Sequence, residues 1–197
     1  MPRFAAFVLA QSTVKNMVIL ASASPRRKQL LSQIIPQFEI IPAVGQERAD
    51  KSLPPEAYVA ALAAQKCDEV FSSHADCLVI GCDTVVVFNG KILGKPKDKQ
   101  DAINTLKALS NQTHQVMTGV CIRNGNKRLI SVDVTEVIFN ELSDEFIKGY
   151  VAGGSPMDKA GSYGIQDGGV VKSFSGSYTN VVGLPVELVK TMVKDAL

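Results

Sequence analysis

The sequence predicts a mixed α/β domain, a twisted sheet carrying both parallel and antiparallel strands with helices against it. Three observations lead there. Short apolar runs alternate with helical periodicities in the first half of the chain. Two Asn-Gly dipeptides, Asn89-Gly90 and Asn124-Gly125, sit between β-rich runs where hairpins turn. The closing stretch, LPVELVKTMVKDAL, has the apolar spacing of a helix with proline at its start. Helical crossovers mixed with hairpins exclude a uniform parallel sheet.

Element by element, VILA (residues 18–21) suits a short buried strand. Ser24 then Pro25 opens a helix to about Ile34, because serine caps free N–H groups and proline is tolerated in the first turn. QFEIIP (37–42) reads as a second strand, and Pro54-Pro55 introduce the long helix EAYVAALAAQKCDEVF. LVIGC is a buried strand, followed by the hairpin VVVF–NG–KIL. Asp98 caps a helix to about Leu109, and the next 26 residues, HQVMTGVCIRNGNKRLISVDVTEVIF, read as two long strands. Ser143 caps the helix SDEFIKGYV, GGSPMDKAGSYG is irregular, VKSFSGSY is a strand region, and SYTNVVGLP packs and turns into the last helix. Residues 1–16 read as an extension ahead of a single domain spanning 17–197, since Met17 directly precedes the first convincing strand.

Composition narrows the function classes. With 46% hydrophobic and 20% charged residues, the 197-residue chain can build a packed core. Net charge is +2, from 21 basic and 19 acidic residues, with 6% aromatics and no basic stripe, which argues against nucleic-acid binding. No apolar run approaches the roughly 20 residues of a membrane span. Cys67, Cys77, Cys82 and Cys121 show no C-x-x-C spacing, and only His74 and His114 accompany them. A zinc site is therefore not expected, and buried thiols in a reducing cytosol are. His114 reads as structural or surface. Neither G-x-S-x-G nor a P-loop is present.

Several segments carry chemistry. SASPRR places Arg26 and Arg27 in the first turn of a helix, against the macrodipole, where an anionic ligand would explain them; two solvated arginines on an ordinary capped helix explain them equally. GCDT puts Asp83 at the end of an apolar strand, where it could bind a metal or take a proton from water, or serve as a turn or cap residue. GKPKD sets Lys95 on a stiff turn, able to neutralise a phosphate or simply to be solvated. Glu47 lies in a loop after the second strand, and Lys66 on a helix whose wet face would also hold it. DKAGSYGIQDGG brings glycines for close backbone approach and Gln166, whose amide can read a base edge.

The order S-x-S-P-R-R, G-x-D-T-V-V, G-K-P, D-K-A-G-x-Y-G-I-Q, N-V-V-G-L-P resembles the Maf family of nucleoside triphosphate pyrophosphatases over residues 17 to about 196. The resemblance implies a two-lobed fold with a cleft, related to the inosine-triphosphate pyrophosphatases. It implies hydrolysis between the α- and β-phosphates of a nucleotide, with Mg²⁺ or Mn²⁺. Asp83 matches the family's proton acceptor, and Arg26, Thr84 and Gln166 match positions tied to substrate choice. Ser22, Arg27, Lys66 and Lys95 match residues lining the phosphate site, and Glu47 an acid near the metal, with Asp83 a second ligand. GCDTVVV, YGIQ and NVVGLP resemble the branch acting on dTTP and UTP, including modified pyrimidines. Gln46, Cys82 and Ser155 depart from the common pattern. The expectation is a cytoplasmic enzyme that clears the nucleotide pool, with a homodimer left open. The alternative is a nucleotide-binding regulator of septum formation.

Overall fold

The computed structural model describes residues 17–197; the expected extension, 1–16, lies outside the described residues. Elements run β1 (Val18–Leu20), α1 (Pro25–Leu31), β2 (Glu39–Ile40), α2 (Pro55–Phe71), β3 (Leu78–Phe88), β4 (Lys91–Leu93), α3 (Lys99–Leu109), β5 (Thr113–Asn124), β6 (Lys127–Phe139) and α4 (Asp144–Ala152). After three 3₁₀ turns come β7 (Val171–Ser175), α5 (Tyr178–Val182) and α6 (Val186–Ala196). The strands form one mixed sheet in the order β2-β1-β3-β5-β6-β7, with β4 also on β3. No helix among the described residues is long and apolar enough to cross a membrane.

The expected caps are in place. Ser24, Asp98 and Ser143 each accept a backbone N–H from the first turn of α1, α3 and α4. SYTNVVGLP holds a short helix, α5, where only a packed turn is expected, its N-terminus capped by the Ser177 hydroxyl.

One correction matters for function. LVIGC and VVVF are a single eleven-residue strand, β3, so Asp83 lies mid-strand and not at a strand end. What exposes it is the edge. β1 pairs with β3 only at Leu78–Ile80, and β4 only at Val86–Phe88. The other edge of β3 is covered by β5 from Leu78 to Val87. Residues 81–85 therefore face a gap where one neighbour has ended and the next has not begun. The gap divides two lobes that β3 and β5 run through.

Strand alternation distributes the core. Leu78, Ile80 and Cys82 pack with Val120 and Ile122 against α1 and α6, while Val79 and Cys121 pack against α2. Farther along, Val86, Val116, Val137 and Phe139 pack against α3 and α4. Two glycines let α2 settle directly on the sheet. A Cβ on Gly81 would lie 2.5 Å from the Ala63 carbonyl, and one on Gly119 would lie 2.6 Å from that of Val59. This close approach lowers Lys66 onto β3.

His114 is structural. It is 2% exposed, its Nε2 lies 2.8 Å from the Tyr163 hydroxyl, and it packs edge-on to Phe139 and Tyr163. Burial pulls its pKa down to about 4. The unfolded chain binds a proton near pH 6.5 and the folded chain does not, so stability falls as pH drops through the window from about 6.5 to about 4. The loss amounts to about 3 kcal/mol at most. Thermal unfolding of His114→Gln across this window is expected to show a flatter pH dependence than the unchanged protein.

All four cysteines are free and buried. Burial pushes the Cys82 thiol up to about 12, so its nearness to Asp83 does not make it reactive.

Candidate active site

The gap beside β3 opens into a cleft of about 480 Å³. Because side chains alternate along a strand, Asp83 points to the α2 side of the sheet and Thr84 to the α5 side, and both reach the cleft around the open edge.

The two neighbouring arginines have different employment. Arg26 crosses the cleft to Asp158, Nη1 to Oδ2 at 2.7 Å. Arg27 is turned inward. Its Nε donates to the Gly183 carbonyl at 2.9 Å. Nη1 donates to Cys82 O at 2.9 Å and Ser22 Oγ at 3.2 Å, and Nη2 to Thr84 Oγ1 at 3.1 Å. Four of its five N–H groups are thus used within the protein. Arg27 joins α1, β3 and the α5–α6 turn, and fills part of the open β3 edge with a guanidinium. Ser22, buried at 7% exposure, helps orient Arg27 and also accepts the Ser24 N–H.

Lys66 holds the acidic pair. Its Nζ lies 2.5 Å from Asp83 Oδ1 and 2.9 Å from Glu47 Oε1. Burial alone would lower the Lys66 pKa; the charges and hydrogen bonds of Asp83 and Glu47 outweigh it and hold Lys66 above its ordinary value. Asp83 Oδ2 is left to meet solvent or ligand. Lys95 and Gln166 both line the cleft, are exposed, and make no hydrogen bond or ion pair to the protein among the described residues.

Some cleft residues were not singled out by sequence reasoning. Tyr58 stands on α2 in the i, i+4, i+8 row Tyr58–Leu62–Lys66, a spacing visible in the sequence once Lys66 is taken as a site residue. Its hydroxyl pKa is raised by burial, then by the charges of Glu47 and Asp83. Asp158 is opposed by burial, yet Lys159 and Arg26 hold its pKa down to about 2. The loop bearing Gln166 is pinned beside it, where Asp167 Oδ2 accepts from Tyr150 Oη at 2.5 Å and Ser155 Oγ at 2.6 Å.

The cleft is graded. A second cavity of about 440 Å³ adjoins it, and the two share Arg26, Arg27, Glu47, Lys66, Lys95 and Asp158. Thr84, Tyr163, Gln166 and the apolar side chains Leu62, Val85 and Ile92 line only the first. The shared part therefore suits a polyanion and the part lined by Thr84 and Gln166 a half-apolar ring with polar edges, and Asp83 lines the same cavity as both.

No group of three or more His, Cys, Asp or Glu side chains converges among the described residues. Asp83 and Glu47 do come together, both on the Lys66 ammonium. Two hard carboxylates beside a site for phosphates match what Mg²⁺ or Mn²⁺ requires, since such ions take one or two carboxylates and complete their shell with phosphate oxygens and water.

An α/β domain with a carboxylate set in a cation-lined, two-ended cleft is the architecture of a nucleotide-handling protein. The family profile described as Maf-like protein matches residues 17–196, and the chain belongs to that family. Among curated relatives, a dTTP/UTP pyrophosphatase of Lacticaseibacillus casei (strain BL23) is 46% identical over 181 residues, covering 90% of this chain and 97% of the relative. The protein of the same name from Thermococcus gammatolerans (strain DSM 15229 / JCM 11827 / EJ3) is 46% identical, covering 88% and 93%. That of Aquifex aeolicus (strain VF5) is 44% identical, covering 86% and 90%. Among solved structures, a nucleoside-triphosphatase / dITP/XTP pyrophosphatase of Mycobacterium abscessus aligns with a TM-score of 0.40 at 10% identity, covering 64% of this chain and 75% of that one, too distant a likeness to bear on the fold.

Proposed function

We propose that this protein hydrolyses dTTP and UTP to the monophosphate and pyrophosphate, acting on the cytoplasmic nucleotide pool and including pyrimidines modified on the ring. The observation that supports this reading is that Asp83 lines one cleft together with the cations Arg26, Lys66 and Lys95 and with the polar side chains of Thr84 and Gln166. A triphosphate laid along the cleft with its base against Thr84 and Gln166 sets its α-phosphate beside Asp83 and its outer phosphates among the cations. That order calls for cleavage between the α- and β-phosphates. The names of the relatives agree with it and do not favour a purely regulatory role.

Charge sets the mechanism. The triphosphate brings about four negative charges, and more charge accumulates on its oxygens as water attacks. Arg26, Lys66 and Lys95 offset it, and a phosphate oxygen that reaches Arg26 competes with Asp158 for the same guanidinium. Lys66 keeps Asp83 Oδ1 engaged. Oδ2 then takes the proton of the attacking water, and the pyrophosphate leaves toward the second cavity. Asp83 and Glu47 would hold the divalent ion, which when bound neutralises phosphate charge and acidifies water.

Gln166 and Thr84 choose the base. Gln166→Ala is expected to shift the preference for dTTP over other triphosphates by about tenfold while leaving the melting temperature unchanged, because its amide makes no hydrogen bond to the protein among the described residues. Equal losses on every triphosphate would argue against this role. The test of the whole proposal is a panel of nucleoside triphosphates with Mg²⁺ or Mn²⁺, assayed for pyrophosphate against orthophosphate. Pyrophosphate from dTTP and UTP is expected. Orthophosphate alone, or no product, overturns the proposal.

A further inference from the structure

We propose that Thr118, a buried residue that does not line the cleft, sets the hydrogen-bond polarity of Thr84, so that Thr84 offers the substrate only an acceptor and selects a base carrying an imide N–H. The inference rests on the pyrophosphatase reading above and deepens it.

Thr118 lies on β5 directly opposite Thr84 on β3, and it is fully buried. A threonine hydroxyl has one proton to give. Thr118 Oγ1 is 3.0 Å from the Asn180 carbonyl, which can only accept, so the Thr118 proton goes there. The Thr84 and Thr118 oxygens are also 3.0 Å apart. With the Thr118 proton committed, Thr84 must be the donor in that contact. Thr84 in turn accepts from Arg27 Nη2 at 3.1 Å. Its proton and one lone pair are then spoken for, and one lone pair remains.

Neither end of this relay can turn. Arg27 is tied to the Gly183 and Cys82 carbonyls. Asn180 is fully buried; its backbone N–H bonds Ser177 Oγ, and its Nδ2 bonds both the Val116 carbonyl and Thr135 Oγ1. Thr135 is held by the backbone of Ser177 on both sides, accepting its N–H and donating to its carbonyl. The acceptor that fixes the Thr118 proton is thus held by the hydrogen-bond network of the fully buried Asn180 and Thr135.

The consequence is chemical selection. Thymine and uracil carry N3–H, a donor that suits a lone pair. Cytosine presents an N3 lone pair there, and two acceptors face each other with neither satisfied. Discrimination of this kind, by leaving a polar group unpaired, is stronger than discrimination by size. Thr118 is a positioning residue in this scheme, since it acts only through Thr84.

The experiment compares kcat/KM for dTTP and CTP in the full-length protein and in Thr118→Val and Thr118→Ser. Valine has the same shape and removes the acceptor for the Thr84 proton, which can then swing toward the cleft. The dTTP:CTP ratio is expected to fall about tenfold in Thr118→Val and to stay near its starting value in Thr118→Ser. A merely structural role would depress both substrates together and leave the ratio alone; an unchanged ratio in folded Thr118→Val overturns the proposal. Should the valine variant not fold, N3-methyl-dTTP probes the unchanged protein. A loss of about tenfold or more against dTTP is expected, and equal use of the two substrates overturns the relay while the pyrophosphatase assignment stands. An unchanged protein that releases no pyrophosphate from dTTP or UTP removes both.

Discussion

Asp83→Asn is expected to lower turnover on dTTP by about 10²–10⁴-fold, the usual worth of a positioned general base. Asparagine keeps the shape of the side chain and an oxygen for Lys66, and Glu47 remains on the same ammonium at 2.9 Å. The cleft therefore stays assembled, and the melting temperature should move by only a few degrees. The substitution removes the ability to accept a proton and one of the two carboxylates proposed to hold a divalent ion. Single-turnover assays with saturating substrate separate this from weakened binding: the expected loss falls on the chemical step, with KM changing far less. Turnover at the starting level would end the assignment of Asp83 and with it the mechanism.

Arg26 and Arg27, adjacent in sequence, are expected to fail in different ways. Among the described residues Arg26 pairs with Asp158, and that pair is partly exposed, so Arg26→Met should leave stability within about 0.5 kcal/mol of its starting value. Its cost falls on kcat/KM, by about 10²-fold, as a cation is withdrawn from the phosphates. Arg27→Met removes four hydrogen bonds that join α1, β3 and the α5–α6 turn. Hydrogen bonds to charged groups are individually worth more than neutral ones, and the carbonyls freed belong to the buried residues Cys82 and Gly183. A net loss of about 2 kcal/mol is reasonable, lowering Tm by about 4–8 °C. Activity falls as well, because Thr84 loses its donor. Arg27→Lys should rescue little, since one ammonium cannot span the guanidinium's partners on three segments. Thermal unfolding and steady-state assays on the two methionine variants decide this: equal destabilisation by both would refute the division of labour.

The chain's elements were largely legible because their signals are local. Ser24, Asp98 and Ser143 cap helices within three residues of the N–H they bind, and two-residue turns close the hairpins at Asn89-Gly90 and, one residue beyond the expected Asn124-Gly125, at Gly125-Asn126. The ordered motifs also carried residues that are gathered in the cleft, since Arg26, Asp83, Thr84, Lys95 and Gln166 all line it. Tertiary structure alone decided how they are used. That Asp83 sits mid-strand and is nevertheless reachable depends on where β1 and β4 stop along β3, which no pattern within GCDT encodes. That Arg27 is a clamp and Arg26 a cleft cation depends on partners 55 to 156 residues away for the one and 132 for the other. The direction of the Thr84 proton depends on Thr118 and Asn180, which meet it only through strand pairing and the docking of α5. Caps and turns are short-range hydrogen bonds that the sequence carries within a few residues. The open edge, the spent guanidinium and the oriented hydroxyl are long-range ones, fixed only when the sheet has closed around them.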